Sequence, residues 1–209
     1  MPSKIKSWDR GRKKPQERRQ VRRVLILSED EKSSVDYLKQ FPFDPDVVRI
    51  ECVGTGMNTD TLVAEAIDRK ERANQSGQPY QEIWVVFDRD SSPLQNFNRS
   101  FDLLAPHREI TACWSNECFE LWYLLHFRYQ NTGIARDHIY AELGKLLGKS
   151  YEKSDRSVYE QLLSRLETAM NNALRLQAHN ARDGSRRGNP STNVHELIRR
   201  LQQFDPAKL

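Results

Sequence analysis

The chain has 209 residues, 37% of them hydrophobic and 30% charged, enough for one domain with a substantial core and short for two. Its longest apolar runs, such as Leu121–Leu125, are far too short to span a bilayer, and the basic N-terminus lacks the apolar stretch of a secretory signal. Cys52, Cys113 and Cys118 form no C-x-x-C pair, and the five histidines show no H-x-x-x-H or Cys/His grouping. That argues against a disulfide framework and a zinc site, and for reduced thiols in a cytoplasmic protein.

The net charge of +4 is unevenly spread. Met1–Arg23 holds ten Lys/Arg against two acids, so the remainder is mildly acidic. A basic arm on an acidic body suits contact with phosphate polyanions, and equally suits a flexible solubilising tail. Trp8 in this arm reads as a contact residue or as nothing in particular.

In chain order, Arg22–Ser28 (RRVLILS) is a continuous aliphatic run, suited to a buried parallel strand. A helix is expected over Glu31–Gln40, a turn at Pro42 and Pro45, and a second strand over Val47–Val53. Asn58-Thr59-Asp60 can cap a helix over Thr61–Ala73. Glu82–Phe87 (EIWVVF) reads as a third strand, closed by Asp88-Arg89-Asp90. A helix over Pro93–Leu104 and a fourth strand over Arg108–Trp114 follow. Cys118–Phe127 is apolar nearly all round, hence a buried helix.

Strands alternating with helices predict a parallel α/β sheet. Past Gly133 the pattern is helical only, with candidates at Asp137–Leu147, Arg156–Gln177 and Asn193–Gln203. Asn180–Ser191 reads as an exposed loop, and Asn193-x-x-Glu196 as a capping box. The expected organisation is a basic arm over 1–22, an α/β core over 23–130 and an all-helical extension over 131–209.

Ligand sites of parallel sheets lie beyond the carboxyl ends of the strands. Glu29 ends the first predicted strand, while Asp88 and Asp90 end the third. Two residues apart in extended backbone, the aspartates point to one side. Three crowded carboxylates repel, and a hard cation such as Mg²⁺ or Mn²⁺ relieves that repulsion. D-x-D after a strand is by itself a common turn or capping pattern; the joint placement of the three acids is what favours a metal site.

Several segments resemble RloB-like proteins of bacterial abortive-infection and restriction-associated loci. They are Val24–Tyr37 (VLILSEDEKSSVDY), Glu82–Asp90 (EIWVVFDRD), Ser115–Phe127 (SNECFELWYLLHF), Gly148–Asp155 (GKSYEKSD) and Asn189–Leu201 (NPSTNVHELIRRL). The resemblance implies a Toprim-like, mostly parallel four-stranded sheet flanked by helices, with an all-helical C-terminal extension. It also implies that Glu29 serves as general acid/base and that Asp88 and Asp90 hold Mg²⁺. The expected activity is that of a nuclease acting on DNA or RNA in antiphage defence, often beside an ATPase partner and away from membranes. A catalytically silent scaffold that binds nucleic acid or an ATPase, and a primase-type nucleotidyltransferase, are the other readings.

The sequence departs from the family pattern in places. Asp30 replaces a glycine suited to positive φ, Ser33-Ser34 replace Thr-Glu, and Glu117 replaces a proline. Asp30 thereby offers a fourth carboxylate. Asp30, Ser115, Asn116 and Glu120 are candidates to support the acids, the last three also as residues satisfying a helix start. His126 reads as a packed core residue. Lys149, Lys153 and Arg156, and the loop residues Arg182, Arg186 and Arg187, are candidate phosphate contacts or ordinary surface charge.

Overall fold

The computed structural model describes residues 21–90 and 93–208; the basic arm and Trp8 lie outside them. Strand β1 (Arg22–Ser28) is buried along Val24–Ser28, as its unbroken aliphatic run dictates for a strand covered on both faces. It is followed by α1 (Ser33–Leu38), β2 (Val48–Gly54), α2 (Thr59–Gln75), β3 (Glu82–Asp88), α3 (Leu94–Leu104), β4 (Ile110–Asn116) and α4 (Glu120–Leu125). Then come α5 (Arg136–Leu147), α6 (Tyr159–Leu163), α7 (Leu166–Arg182), β5 (Ser191–Thr192) and α8 (Val194–Gln202).

The sheet runs β2-β1-β3-β4-β5, parallel except for β5. Alternate side chains feed two cores. Leu25, Leu27, Ile83, Val85 and Phe87 pack with Leu62 and Val63 of α2 and Phe97 of α3. Val24, Ile26, Trp84, Val86 and Cys113 face a larger core formed with α1, α4 and the C-terminal helices. The chain leaves β1 toward β2 on one side and reaches β3 on the other, so the crossover direction reverses between β1 and β3. Such a switch opens a crevice at the strand carboxyl ends.

The alternating pattern and all four expected parallel strands are present, with small shifts at the ends. Helix α1 is shorter than Glu31–Gln40 because Asp30 Oδ2 accepts from the backbone N–H groups of Lys32 and Ser34, which fixes the turn before it. Asn58 does cap α2, accepting from Thr61 N at 3.1 Å, but the helix already starts at Thr59. All six residues of α4 are buried, and α4 packs on α5 and α7. His126 has no exposed surface. Its Nε2 lies 3.0 Å from the Tyr37 hydroxyl and its Nδ1 2.9 Å from the Trp122 carbonyl, so Nδ1–H donates and Nε2 accepts from Tyr37. Burial pushes its pKa down to about 4.

The C-terminal half departs further from expectation. Among the described residues the sheet has five strands, not four, and residues 131–208 are not all helical, since β5 begins at Ser191, the last residue of the stretch read as an exposed loop. Two residues are too few to show periodicity. Ser191 and Thr192 are held by the antiparallel register of Thr192 with Ser115 and by the Asn193 side chain. That amide accepts from Trp114 N at 2.7 Å and donates to the Ala112 carbonyl at 2.9 Å, standing in for another strand residue. Asn193 therefore does not cap α8 with its side chain as a capping box requires, although its Nδ2 also lies 3.2 Å from Glu196 Oε2. The expected helix Arg156–Gln177 is a 3₁₀ turn at Arg156–Val158, then α6 and α7, parted at Ser164-Arg165. Helix α7 itself continues to Arg182.

Candidate active site at the carboxyl ends of β1 and β3

Strands β1 and β3 are direct neighbours, with Ser28 opposite Val86. Glu29 extends the ladder by donating its N–H to the Val86 carbonyl at 2.9 Å. This brings the first acid beside the end of β3, where Asp88 is the last residue. The Asp88 N–H donates to the Glu29 carboxylate, and Thr59 Oγ1, in the first turn of α2, donates to Glu29 Oε2 at 3.2 Å. Gly54 permits the close approach of this loop to β2, because a Cβ there would stand 2.5 Å from Glu31 Cα. Burial raises the Glu29 pKa despite these donors.

Asp88 is half-buried. Its pKa is pushed well up by burial and by the charges of Glu120 and Glu29, against the opposing pull of the Phe119 N–H and Lys153. Glu120, at the start of α4, has no exposed surface. Its Oε1 accepts from Ser33 Oγ at 3.0 Å and from the Tyr151 hydroxyl at 3.1 Å, whereas its Oε2 is buried with no hydrogen-bond partner among the described residues. A buried carboxylate oxygen in that state is costly and marks a place for a missing polar group. Of the two roles the sequence allows Glu120, the side chain makes no helix-cap bond and is turned toward Lys153, with its charge acting on Asp88.

Asp90 is placed differently. It alone among the described non-glycine residues has a positive φ, 48°, so the left-handed backbone expected at Asp30 occurs here instead. Its N–H donates to the Glu117 carbonyl at 2.9 Å, and its Oδ2 pairs with Arg136 at 2.7 Å. Asp30 pairs with Lys153 at 3.2 Å. Burial alone would raise its pKa, but Lys153 and the donors from Ser34 and Ser33 outweigh that and hold it low. The structure thus groups Glu29, Asp88 and Glu120, with Asp30 and Asp90 at the edges, each already matched to a cation. Among the described residues, no set of three His, Cys, Asp or Glu side chains stands in metal-holding geometry.

The supporting residues also separate. Ser115 and Asn116 end β4 and do not cap α4, whose N-terminal boundary is Phe119. Ser115 Oγ lies 3.0 Å from Thr192 Oγ1 and Asn116 Nδ2 donates to the Arg187 carbonyl at 2.8 Å, so both join β4 to the C-terminal segment. The Asn116–Glu117 peptide is cis. Of the basic candidates, Lys149 pairs with Asp155 and Arg156 with both oxygens of Asp36, while Lys153 enters the acid cluster. Arg182, Arg186 and Arg187 make no ion pair among the described residues, although the charge of Asp102 reaches Arg187. Arg136, Thr59 and Tyr151 were not among the sequence candidates. An arginine opening a surface helix and a threonine in a helix cap look ordinary, and only the tertiary path brings them to the acids.

Among the described residues no helix is long and apolar enough to cross a membrane. No curated protein and no solved structure matches the chain. The family model described as RloB-like protein matches residues 24–201, a span that includes every acid of the site and the segment that closes the sheet. The chain therefore belongs to the family of RloB-like proteins.

Proposed function

We propose that this protein is a Toprim-type, Mg²⁺- or Mn²⁺-dependent nuclease that hydrolyses phosphodiesters of DNA or RNA. The observation that carries the reading is that Asp88 ends β3 beside Glu29, which accepts its N–H, and feels the charges of both Glu29 and Glu120 at the crevice between β1 and β3. The donor set is hard oxygen throughout, and Glu120 Oε2 is an unsatisfied buried acceptor. Mg²⁺ is commonly held by only one or two carboxylates plus substrate phosphates, so the residues fit the ion without a three-sided protein cage. Asp88 would hold it, with Asp90 joining if it leaves Arg136 and Glu29 beside them free to move a proton. The ion would supply charge stabilisation for a phosphoryl group and an activated water.

The chain's own residues supply the rest. Glu29, with a pKa raised by burial, can exchange a proton nearer neutral pH than an ordinary carboxylate. Thr59 and the Asp88 N–H hold its carboxylate in place. Arg136 and Lys153 border the acids and offer cations to substrate phosphates. The roles as an abortive-infection effector and as companion to an ATPase are part of this proposal, and rest on the family resemblance.

A second reading has its own observation. Arg136 already neutralises Asp90 and Lys153 already neutralises Asp30, as suits a silent scaffold that binds nucleic acid or an ATPase partner. Cleavage of single-stranded DNA, tRNA and mRNA with Mg²⁺ or Mn²⁺ separates the two. Wild type should cleave at least one substrate, with Asp88→Ala and Glu29→Gln inactive. Equal cleavage by all three proteins refutes the assignment, and no cleavage with no calorimetric Mg²⁺ binding favours the scaffold.

A further inference from the structure

At the β4–β5 edge of the sheet lies a cavity of about 640 Å³. That size accommodates a nucleotide. One wall is the half-buried ring of Trp114 on β4, backed edge-on by Phe97 and Phe101 of α3 at 5.8 and 6.0 Å between centroids. The opposite wall is one face of α7, including Leu174 and Gln177. Glu196 of α8 reaches the cavity without an ion-pair partner among the described residues. Arg186 and Arg187 border it, and the Arg187 guanidinium lies 3.5 Å over the Phe101 ring.

These walls differ in kind. An aromatic face extended by a stacked guanidinium suits a planar base. Two arginines that make no ion pair among the described residues, Arg187 with only the more distant charge of Asp102 near it, suit a phosphate. The Glu196 carboxylate already accepts from Gln177 at 3.2 Å on Oε1 and from Asn193 at 3.2 Å on Oε2, and each oxygen keeps a further lone pair for the donors of a base. The mouth is tied to the acid site by two bonds: Asn116 Nδ2 to the Arg187 carbonyl, and Asp90 N–H to the Glu117 carbonyl.

We infer that this cavity seats one nucleotide of a single strand, its base on Trp114 with an amino-bearing edge toward Glu196, and its phosphate at Arg186 and Arg187. Guanine fits best, because its adjacent N1–H and N2–H₂ donors match one carboxylate. The inference deepens the nuclease reading by naming a nucleotide of the bound strand, and it rests on that reading for the strand. Binding itself needs neither a metal nor Glu29 and Asp88.

The test is titration of the whole protein, in EDTA, with GMP, UMP and a guanine-containing trinucleotide, followed by tryptophan fluorescence and calorimetry. GMP should bind saturably, quench fluorescence and exceed UMP. The trinucleotide should bind more tightly than GMP. Arg187→Ala should weaken binding about tenfold or more, Trp114→Phe should retain calorimetric binding while losing most of the quench, and Glu196→Gln should erase the preference for GMP over UMP. Thermal melts identify variants that fail to fold, and exposed Arg187 gives the substitution least tied to the core. Absence of nucleotide binding by wild type, or binding unchanged in both Arg187→Ala and Glu196→Gln, overturns the proposal. Equal affinity for GMP and the trinucleotide overturns the strand assignment in favour of a free nucleotide. Asp88→Asn should keep this binding whatever it does to cleavage, so failure of the nuclease reading leaves a distinct result.

Discussion

Lys153 Nζ stands 3.6 Å from Glu120 Oε1, a carboxylate with no exposed surface, and 3.2 Å from Asp30. One cation from the C-terminal half therefore compensates two acids of the strand-end crevice. Removing one member of a buried pair costs more than the pair contributes, because a charge is stranded. Lys153→Met should destabilise the protein by about 2 kcal/mol. Adding Glu120→Gln should recover a good part of that loss. Urea unfolding of the two single variants and the double variant measures the coupling, and additive losses would show that Lys153 does not serve Glu120.

Asp88 carries the opposite burden. Its pKa is raised in the folded state by burial and two neighbouring carboxylates, so its ionised form weakens the fold at neutral pH. Asp88→Asn should stabilise the metal-free protein by about 1 kcal/mol. The gain should be largest above the raised folded pKa and shrink as pH falls through it, since wild-type Asp88 then takes up its proton. Mg²⁺ should raise the melting temperature of wild type and not of this variant. A destabilised Asp88→Asn protein would contradict the crowding.

His126 gives a pH dependence of known sign. It is buried and neutral, with a folded pKa of about 4 against about 6.5 when unfolded. Above pH 6.5 it contributes no slope. Below that, the unfolded chain takes up a proton that the fold resists, and stability falls by up to about 1.4 kcal/mol per pH unit until the folded pKa is reached. His126→Gln, though less stable throughout, should lose this part of the slope between pH 6 and 4.5. An unchanged slope in chemical denaturation would show that His126 protonates without penalty.

Asn193 replaces backbone with side chain, meeting Trp114 N and the Ala112 carbonyl. Asn193→Ala leaves both groups short of a partner and should cost about 2–3 kcal/mol. Asn193→Asp keeps the acceptor and loses the donor, and should be worse at neutral pH than near its pKa. Amide exchange at Trp114 should rise in Asn193→Ala; unaltered protection there would refute the stitch.

The sequence exposes the parts of this molecule that repeat. The runs RRVLILS and EIWVVF extend over enough residues to declare buried strands, and their order places Glu29 and Asp88 at one crevice. Glu120 was visible as an acid in an apolar helix, but its direction depends on how α4 leaves β4. Arg136 and Lys153 are sequence-distant cations whose partners are set by the fold of the whole chain. Strand β5 was invisible for another reason: two residues of pairing are specified by a side chain, Asn193, which resembled a helix cap.

The antiparallel pairing of β5 also bears on how the chain may be divided. A fragment ending near residue 130 would lack β5 and Asn193, leaving the Ala112–Asn116 side of β4 as an open sheet edge, and would uncover the apolar helix α4. Open strand edges recruit other chains. Such a fragment should self-associate on expression, whereas the intact chain closes that edge with its own residues. The C-terminal half is thus the guard against aggregation of the sheet that carries the acids.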